Sequence, residues 1–179
     1  MTVTDPFGNI ELRREIGDHV TLTTVDIQQL VLDSLDGDDH FFIRINNPYD
    51  QIDVLGGSPG GSDVLQVSDE YGGDLFEVNP SVDPGRGNID IDSDTLDINY
   101  VGIEHIELNA SGGEGGTDSL IVNDDGADNV WEVRAGRFGD LIEIDDRETI
   151  DYSDFVDVEL VNDFGNDILF SAIGVHFNF

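Results

Sequence analysis

The sequence predicts an all-β fold, a right-handed parallel β-helix or β-solenoid built from about three imperfect repeats of 52–79 residues. Runs of four to six residues alternate apolar and polar side chains, as half-buried strands do. Gly, Asp, Asn and Ser separate these runs and mark turns. Similar sequence segments also recur along the chain. We therefore expect residues 1–179 to form one solenoid domain, and to be a segment of a longer repeat protein, because tandem repeats rarely come in so small a number.

Three glycine-led segments show the repetition. Gly87–Ile91 resembles Gly8–Leu12 and Gly139–Ile144, with offsets of 79 residues to the first copy and 52 to the last. The longer offset predicts an insertion or an extra turn in the N-terminal copy, near Asn46–Leu55. A single coil cannot bury its own apolar face, so recurring coils are expected to stack. A sandwich or a barrel of short strands is the alternative architecture.

The clearest copy is Val101–Val133, and its alternation predicts which side chains face the core. The residues predicted to point inward are Ile103, Ile106, Leu108, Leu120, Val122, Val130 and Val133. Val25–Leu35 has some helical character, but its similarity to other copies favours a strand. Ser171–Phe179 alternates and ends in Phe, which indicates a last strand of the stack; the C-terminal strand of an outer-membrane barrel is the alternative.

The net charge of −33 comes from 40 acidic residues against seven basic ones, all of them Arg. Such a charge argues against nucleic acid and against anionic membrane surfaces as partners, because both are bound through Lys and Arg. Screening by high salt, as in halophilic proteins, and neutralisation by bound divalent cations are the two explanations. No apolar run is long enough to span a membrane. The sequence has no Cys and no recognisable signal peptide, and we expect a piece of a secreted or cell-surface protein that does without disulfides.

A Gly-x-Asp-x-apolar pattern occurs six times, and its aspartates are Asp39, Asp63, Asp74, Asp118, Asp128 and Asp167. With Gly113–Val122 and Tyr100–Leu108, this text resembles the Gly/Asp-rich β-solenoid repeats of extracellular proteins related to calcium-binding RTX (hemolysin-type) repeats. The resemblance implies a Ca²⁺ ligand at the sixth position of the nonapeptide. That position falls on Asp63, Asp118 and Asp167.

The chain departs from the RTX pattern, since no segment carries the full nonapeptide and the copies are not nine residues apart. A continuous Ca²⁺ ladder therefore does not carry over. The alternative role of the three aspartates is to accept backbone N–H groups within their turns.

No catalytic arrangement stands out, because acid pairs are too abundant to be informative and the four His residues lack a metal or nucleophile spacing. We expect a non-catalytic structural or adhesive module, Ca²⁺-stabilised, whose partners are neighbouring repeats or cell-envelope components. The alternative is a carbohydrate-binding or carbohydrate-active module acting on polysaccharide. A groove that holds Arg86, Arg134 or Arg137 beside carboxylates would favour this alternative. A subunit that self-assembles through open sheet edges is a third possibility.

Overall fold

A computed structural model of the chain describes residues 2–3, 9–13, 19–24, 26–57, 62–69, 73–92, 96–110, 117–136, 139–145, 147–161 and 166–171. Every regular element in this part of the chain is a β-strand, which confirms the predicted all-β class. The first nine strands are β1 (Thr2–Val3), β2 (Asn9–Arg13), β3 (His19–Thr23), β4 (Gln29–Asp33), β5 (His40–Arg44), β6 (Gln51–Leu55), β7 (Val64–Asp69), β8 (Leu75–Pro80) and β9 (Arg86–Ile91). The remaining eight are β10 (Leu96–Val101), β11 (His105–Ala110), β12 (Ser119–Asn123), β13 (Val130–Ala135), β14 (Asp140–Ile144), β15 (Thr149–Ser153), β16 (Asp157–Val161) and β17 (Ile168–Ser171).

The strands form two sheets. The ten-stranded sheet has the order β17-β13-β14-β15-β11-β7-β5-β1-β2-β3, and the seven-stranded sheet has the order β16-β12-β8-β9-β10-β6-β4. From β4 onward the chain changes sheet at nearly every step, and strands that are four or two apart in sequence then pair in parallel. One antiparallel meander, β1-β2-β3, precedes this alternation, and two others, β8-β9-β10 and β13-β14-β15, interrupt it.

Equivalent strands of successive sequence copies lie in opposite sheets. The segment Gly87–Ile91 contributes β9 to the seven-stranded sheet, whereas Gly139–Ile144 contributes β14 to the ten-stranded sheet. Both are the middle strands of a meander. The sequence offset of 52 residues between Gly87 and Gly139 therefore corresponds to a change of sheet.

The longer offset to the first copy has a visible origin. Strands β6 and β7 lie between the N-terminal copy and the central meander, one in each sheet and without a hairpin between them. They form an extra parallel step that pairs with β4 and β10 in one sheet and with β5 and β11 in the other. The predicted insertion at Asn46–Leu55 coincides with the first half of this step.

The core lies between the two sheets and is filled by alternate strand residues. Six of the seven residues predicted to point inward are buried. The prediction for Val130 is wrong, because this residue is 40% exposed. On β13 the inward positions are Trp131 and Val133, so the alternation has the opposite phase at Val130. The prediction failed because β13 begins with two apolar residues in succession. Val25–Leu35 contains strand β4, as expected, and the predicted last strand lies outside the described residues from position 172 onward.

The described part of the chain contains no helix that is long and apolar enough to span a membrane.

Candidate metal centre and the acidic turns

The three predicted metal-site residues, Asp63, Asp118 and Asp167, occupy equivalent places in the fold. Each directly precedes a strand, and Asp63 and Asp118 are buried although they are carboxylates. A buried carboxylate is tolerated only when its oxygens are hydrogen-bonded or coordinate a cation. The partners of these three oxygens therefore indicate what the turns do.

Each carboxylate holds the turn that precedes the neighbouring strand. Asp63 Oδ1 accepts a hydrogen bond from the backbone N–H of Asp39 at 2.7 Å. The carbonyl of Asp39 in turn accepts the N–H of Val64 at 2.8 Å. We call this reciprocal pair of bonds a turn clamp. It joins the starts of the parallel strands β5 and β7.

The same clamp recurs twice. Asp118 Oδ1 accepts the N–H groups of Gly73 and Asp74 at 2.6 and 2.9 Å, while Ser119 N–H donates to the Asp74 carbonyl. Asp167 Oδ1 accepts the N–H of Asn129 at 2.7 Å, and the N–H of Ile168 donates to the Asn129 carbonyl. The donors lie in the adjacent turn, so the expected bonds within the same turn are replaced by bonds between turns.

A glutamate continues the series in the ten-stranded sheet. Glu104 Oε2 accepts the N–H of Asp63 at 2.8 Å, and the Asp63 carbonyl accepts the N–H of His105 at 3.1 Å. Three successive strand starts, at β5, β7 and β11, are thus clamped in a row. Sequence reasoning missed Glu104 because the pattern was restricted to Asp, although Gly102 stands two residues before Glu104 as in the other turns.

Two further aspartates close the meanders. Asp92 and Asp145 have φ angles of 52° and 49°, the left-handed conformation that Asp adopts more readily than most residues. Their carboxylates accept the N–H groups of Leu75 and Val130, each at 3.0 Å. The offset of 53 residues between these aspartates is a signal that the sequence contained.

One cluster in the described part of the chain has the geometry of a metal site. Carboxylate oxygens of Asp69, Asp74 and Asp118 lie within 4.8 Å of one another. Asp69 ends β7 and is buried, and Asp118 is only 2% exposed. A cavity of about 290 Å³ lies beside the cluster and is lined by Asp69, Asp74 and Asp92. Asp118, a predicted Ca²⁺ ligand, thus has two carboxylate neighbours, Asp69 and Asp74, which the sequence did not identify as ligands.

The electrostatics of the cluster favour an added positive charge. Burial, a hydrogen bond with Asp92, and the repulsion and hydrogen bonding of Asp69 raise the pKa of Asp74 to about 8. Burial and neighbouring carboxylates both disfavour the ionised form of a carboxyl group, and a bound cation would favour it.

The donor set fits Ca²⁺. Two oxygens that bind the same Ca²⁺ ion at 2.3–2.6 Å can be up to roughly 5 Å apart. The carboxylate oxygens of this cluster are within that distance of one another. Carboxylates are hard ligands, which excludes a preference for soft metals. Asp63 and Asp167 lie outside this cluster, each in its own turn clamp, and their role as metal ligands stays a prediction.

The raised pKa predicts that stability without divalent cations falls as pH rises. The native state holds the Asp74 proton up to about pH 8, whereas the unfolded chain releases it near pH 4. The stabilisation is therefore complete below pH 4 and is lost as pH rises through 8. Urea unfolding in EDTA at several pH values should show this decline. The variant Asp74→Asn should show a flatter profile, and an equally steep profile would contradict the assignment.

A buried ion pair stabilises the C-terminal half of the fold. Arg147 Nη2 contacts Asp125 Oδ2 at 2.7 Å, with side-chain exposures of 8% and 5%. The same nitrogen donates to Asn129 Oδ1 at 2.8 Å. Burial opposes ionisation, but the Ala127 N–H, the Asn129 amide and Arg147 together lower the pKa of Asp125. This pair therefore supports the turn that Asp167 clamps at Asn129.

The structure also shows the surroundings of several other residues. Tyr100 is buried and donates a hydrogen bond to the buried Glu148, whose pKa is raised by burial. Trp131 lies in the core. Arg134 pairs with Glu143 at 2.8 Å on the surface. Arg137 and the glycines of Gly113–Val122 lie outside the described residues.

His105 is the one His that approaches a catalytic arrangement in the described chain. Its Nδ1 bonds the Thr149 hydroxyl, and its Nε2 lies 3.3 Å from Asp151 Oδ2. The group sits on the open face of a sheet, where backbone N–H groups are already committed to neighbouring strands.

Comparison with known proteins gives no relative: the chain matches no protein-family model, no curated protein sequence and no solved structure.

Proposed function

We propose that the chain is a structural module, a right-handed parallel β-solenoid of a larger secreted or cell-surface protein, stabilised by Ca²⁺. The observation that carries this proposal is the set of turn clamps, in which Asp63, Asp118 and Asp167 each tie one turn to the next. Their aspartates stand at the sequence position where the resemblance to RTX-type repeats implies a Ca²⁺ ligand. A stack of this kind has the rigidity that a spacer or an adhesive stalk requires.

The proposed solenoid rests on topology. The chain alternates between two sheets, and the strands within each sheet pair largely in parallel. Each meander then adds a hairpin to one wall of a coil. A right-handed path is the one that parallel β-crossovers adopt almost without exception.

The proposed Ca²⁺ site is the cluster of Asp69, Asp74 and Asp118. The three carboxylates would supply oxygen ligands, and the cation would offset the repulsion between them. The bond between Asp118 Oδ1 and the N–H of Asp74 would then join the clamp to the metal site. Calcium would thereby stabilise the junction of β7, β8 and β12.

Thermal melting tests the proposal in four media: EDTA, 5 mM CaCl₂, 5 mM MgCl₂, and molar NaCl with EDTA. A ligand that binds only the native state raises stability by about 4 kcal/mol at 1,000 times its Kd. We expect a rise in melting temperature in Ca²⁺ that Mg²⁺ does not reproduce. The rise in melting temperature should be larger at pH 8.5 than at pH 6, because at pH 6 Asp74 is protonated and Ca²⁺ must displace its proton.

The melting experiment also separates the two explanations of the charge of −33. A rise in NaCl alone would support screening by salt and would contradict the Ca²⁺ site. A matched control is Asp92→Asn, which changes a neighbour of the cluster that is not one of its three ligands. This variant should keep the Ca²⁺ response, whereas Asp69→Asn should lose it.

A further inference from the structure

We infer that the chain forms a two-fold symmetric dimer through its N-terminal meander, β1-β2-β3, which we call the N-terminal overhang. The partner is a second copy of this chain, and the overhang of each copy covers the open core face of the other. The dimer goes beyond the proposed structural function. It is also independent of the Ca²⁺ site, which lies at the junction of β7, β8 and β12.

The overhang exists because the two sheets end at different strands. From β5 to β17 the ten-stranded sheet has seven strands, as many as the other sheet has from β4 to β16. The short connection 34–39 joins β4 to β5 and places these two strands opposite each other. The overhang therefore extends three strands, or about 14 Å, beyond the last described strand of the opposite sheet.

A row of core positions runs out onto the overhang. The Cα register aligns Ile43 on β5 with Val3 on β1. It then passes through Ile10 on β2 to Leu22 on β3. Residues directly opposite each other on adjacent strands share one face of the sheet. Ile43 is fully buried, whereas Leu22 is 47% exposed, because no described strand of the seven-stranded sheet lies across from it.

A second copy of the chain complements this end of the molecule. A two-fold axis parallel to the strands, midway between the two sheet planes, exchanges the sheets and brings two N-terminal ends together. Because each overhang is three strands wide, β3 of one copy then lies beside β4 of the other, and the reverse. Each sheet continues from one copy into the next, so the edges at β3 and β4 are both covered. The core faces of the two overhangs pack against each other in an interface that closes on itself.

A head-to-tail arrangement does not fit the same ends. The two sheets end level with each other at β16 and β17 in the described part of the chain, without an overhang. If β16 of a second copy lay beside β4, its ten-stranded sheet would collide with the overhang. If β17 of a second copy lay beside β3 instead, a gap of three strands would remain in the other sheet. The geometry therefore favours the closed dimer over an open chain of copies.

The distribution of charge and apolar surface also favours this end. Residues 1–24 contain four acidic residues and two of the seven arginines, a net charge of −2, whereas the rest of the chain carries −31. The repulsion that opposes association of two acidic chains is thus weak at the overhang. Large apolar side chains are exposed on β3, on β4 and in the turns that flank β4; they are Leu22, Ile27, Val31 and Leu35.

Sedimentation equilibrium of the full chain tests the inference, in EDTA with 0.15 M and with 1 M NaCl. We expect twice the chain mass of 19.6 kDa, with tighter association in 1 M NaCl because salt screens the repulsion between the copies. The variant Leu22→Lys places a charge between the two overhangs. It should weaken dimerisation roughly 30-fold or more, the effect of removing a central interface residue.

The matched control is Ile168→Lys on β17, at the opposite end of the stack, where Ile168 is 53% exposed. This variant should dimerise normally, and circular dichroism establishes that both variants fold. Three results would overturn the inference: the mass of a single chain at 100 µM protein in both salt concentrations, species that keep growing with protein concentration, and equal effects of the two variants. None of these results depends on Ca²⁺, so they leave the test of the metal site unaffected.

Discussion

Replacing Arg147 with methionine is expected to lower the free energy of unfolding by about 3–5 kcal/mol. The substitution leaves the Asp125 carboxylate in a buried position without its cation, and it removes a donor from Asn129 Oδ1. Methionine keeps much of the side-chain volume, so packing changes little. Urea denaturation followed by circular dichroism measures the effect.

Two variants control this result. Arg134→Met removes an ion pair of the same type, to Glu143 at 2.8 Å, but the Arg134 side chain is 47% exposed, so the expected loss of stability is much smaller than at Arg147. The double variant Asp125→Asn/Arg147→Met removes both charges and should recover part of the loss. Equal costs at Arg147 and Arg134 would contradict the assignment of a buried pair.

Replacing Asp118 with alanine should cost about 2–3 kcal/mol relative to Asp118→Asn, measured by urea denaturation in EDTA. Both variants remove one negative charge from beside Asp69 and Asp74, so repulsion is relieved equally. Only asparagine keeps an oxygen that can accept the N–H groups of Gly73 and Asp74. The difference between the two variants therefore isolates the hydrogen bonds of the clamp.

The same two variants report on the cation. Each lacks one of the three carboxylates, and both are expected to lose the Ca²⁺-dependent rise in melting temperature. A full Ca²⁺ response in Asp118→Asn would contradict the proposed site while leaving the turn clamp intact. Equal stability of the two variants would contradict the clamp instead.

The all-β class, most core positions and the turn aspartates could be predicted from the sequence, because each depends on a local pattern. Strand alternation places Ile106 and Leu108 in the core whatever the topology. The repeated Gly-x-Asp text identified Asp63, Asp118 and Asp167 as equivalent, and the structure gives them equivalent bonds.

The partners of those residues could not be predicted, because they depend on which strands become neighbours. Asp118 meets Asp69 and Asp74 only because β8 and β12 pair in parallel while the end of β7 lies close to their starts. Glu104 takes the place of an aspartate in a clamp, in a Gly-x-Glu segment that begins at Gly102. Val130 shows the same limit on a smaller scale, since two adjacent apolar residues leave the phase of a strand undecided.

Amide hydrogen exchange tests the central claim most directly: that acidic residues tie each turn to the turn of the neighbouring coil. The measurement compares the native protein with Asp63→Ala, Asp118→Ala and Asp167→Ala. We predict that protection is lost at the amides of Asp39, Asp74 and Asn129 respectively, 24, 44 and 38 residues away. Loss of protection confined to the substituted residue's own turn, with these three amides unchanged, would contradict the stacked arrangement.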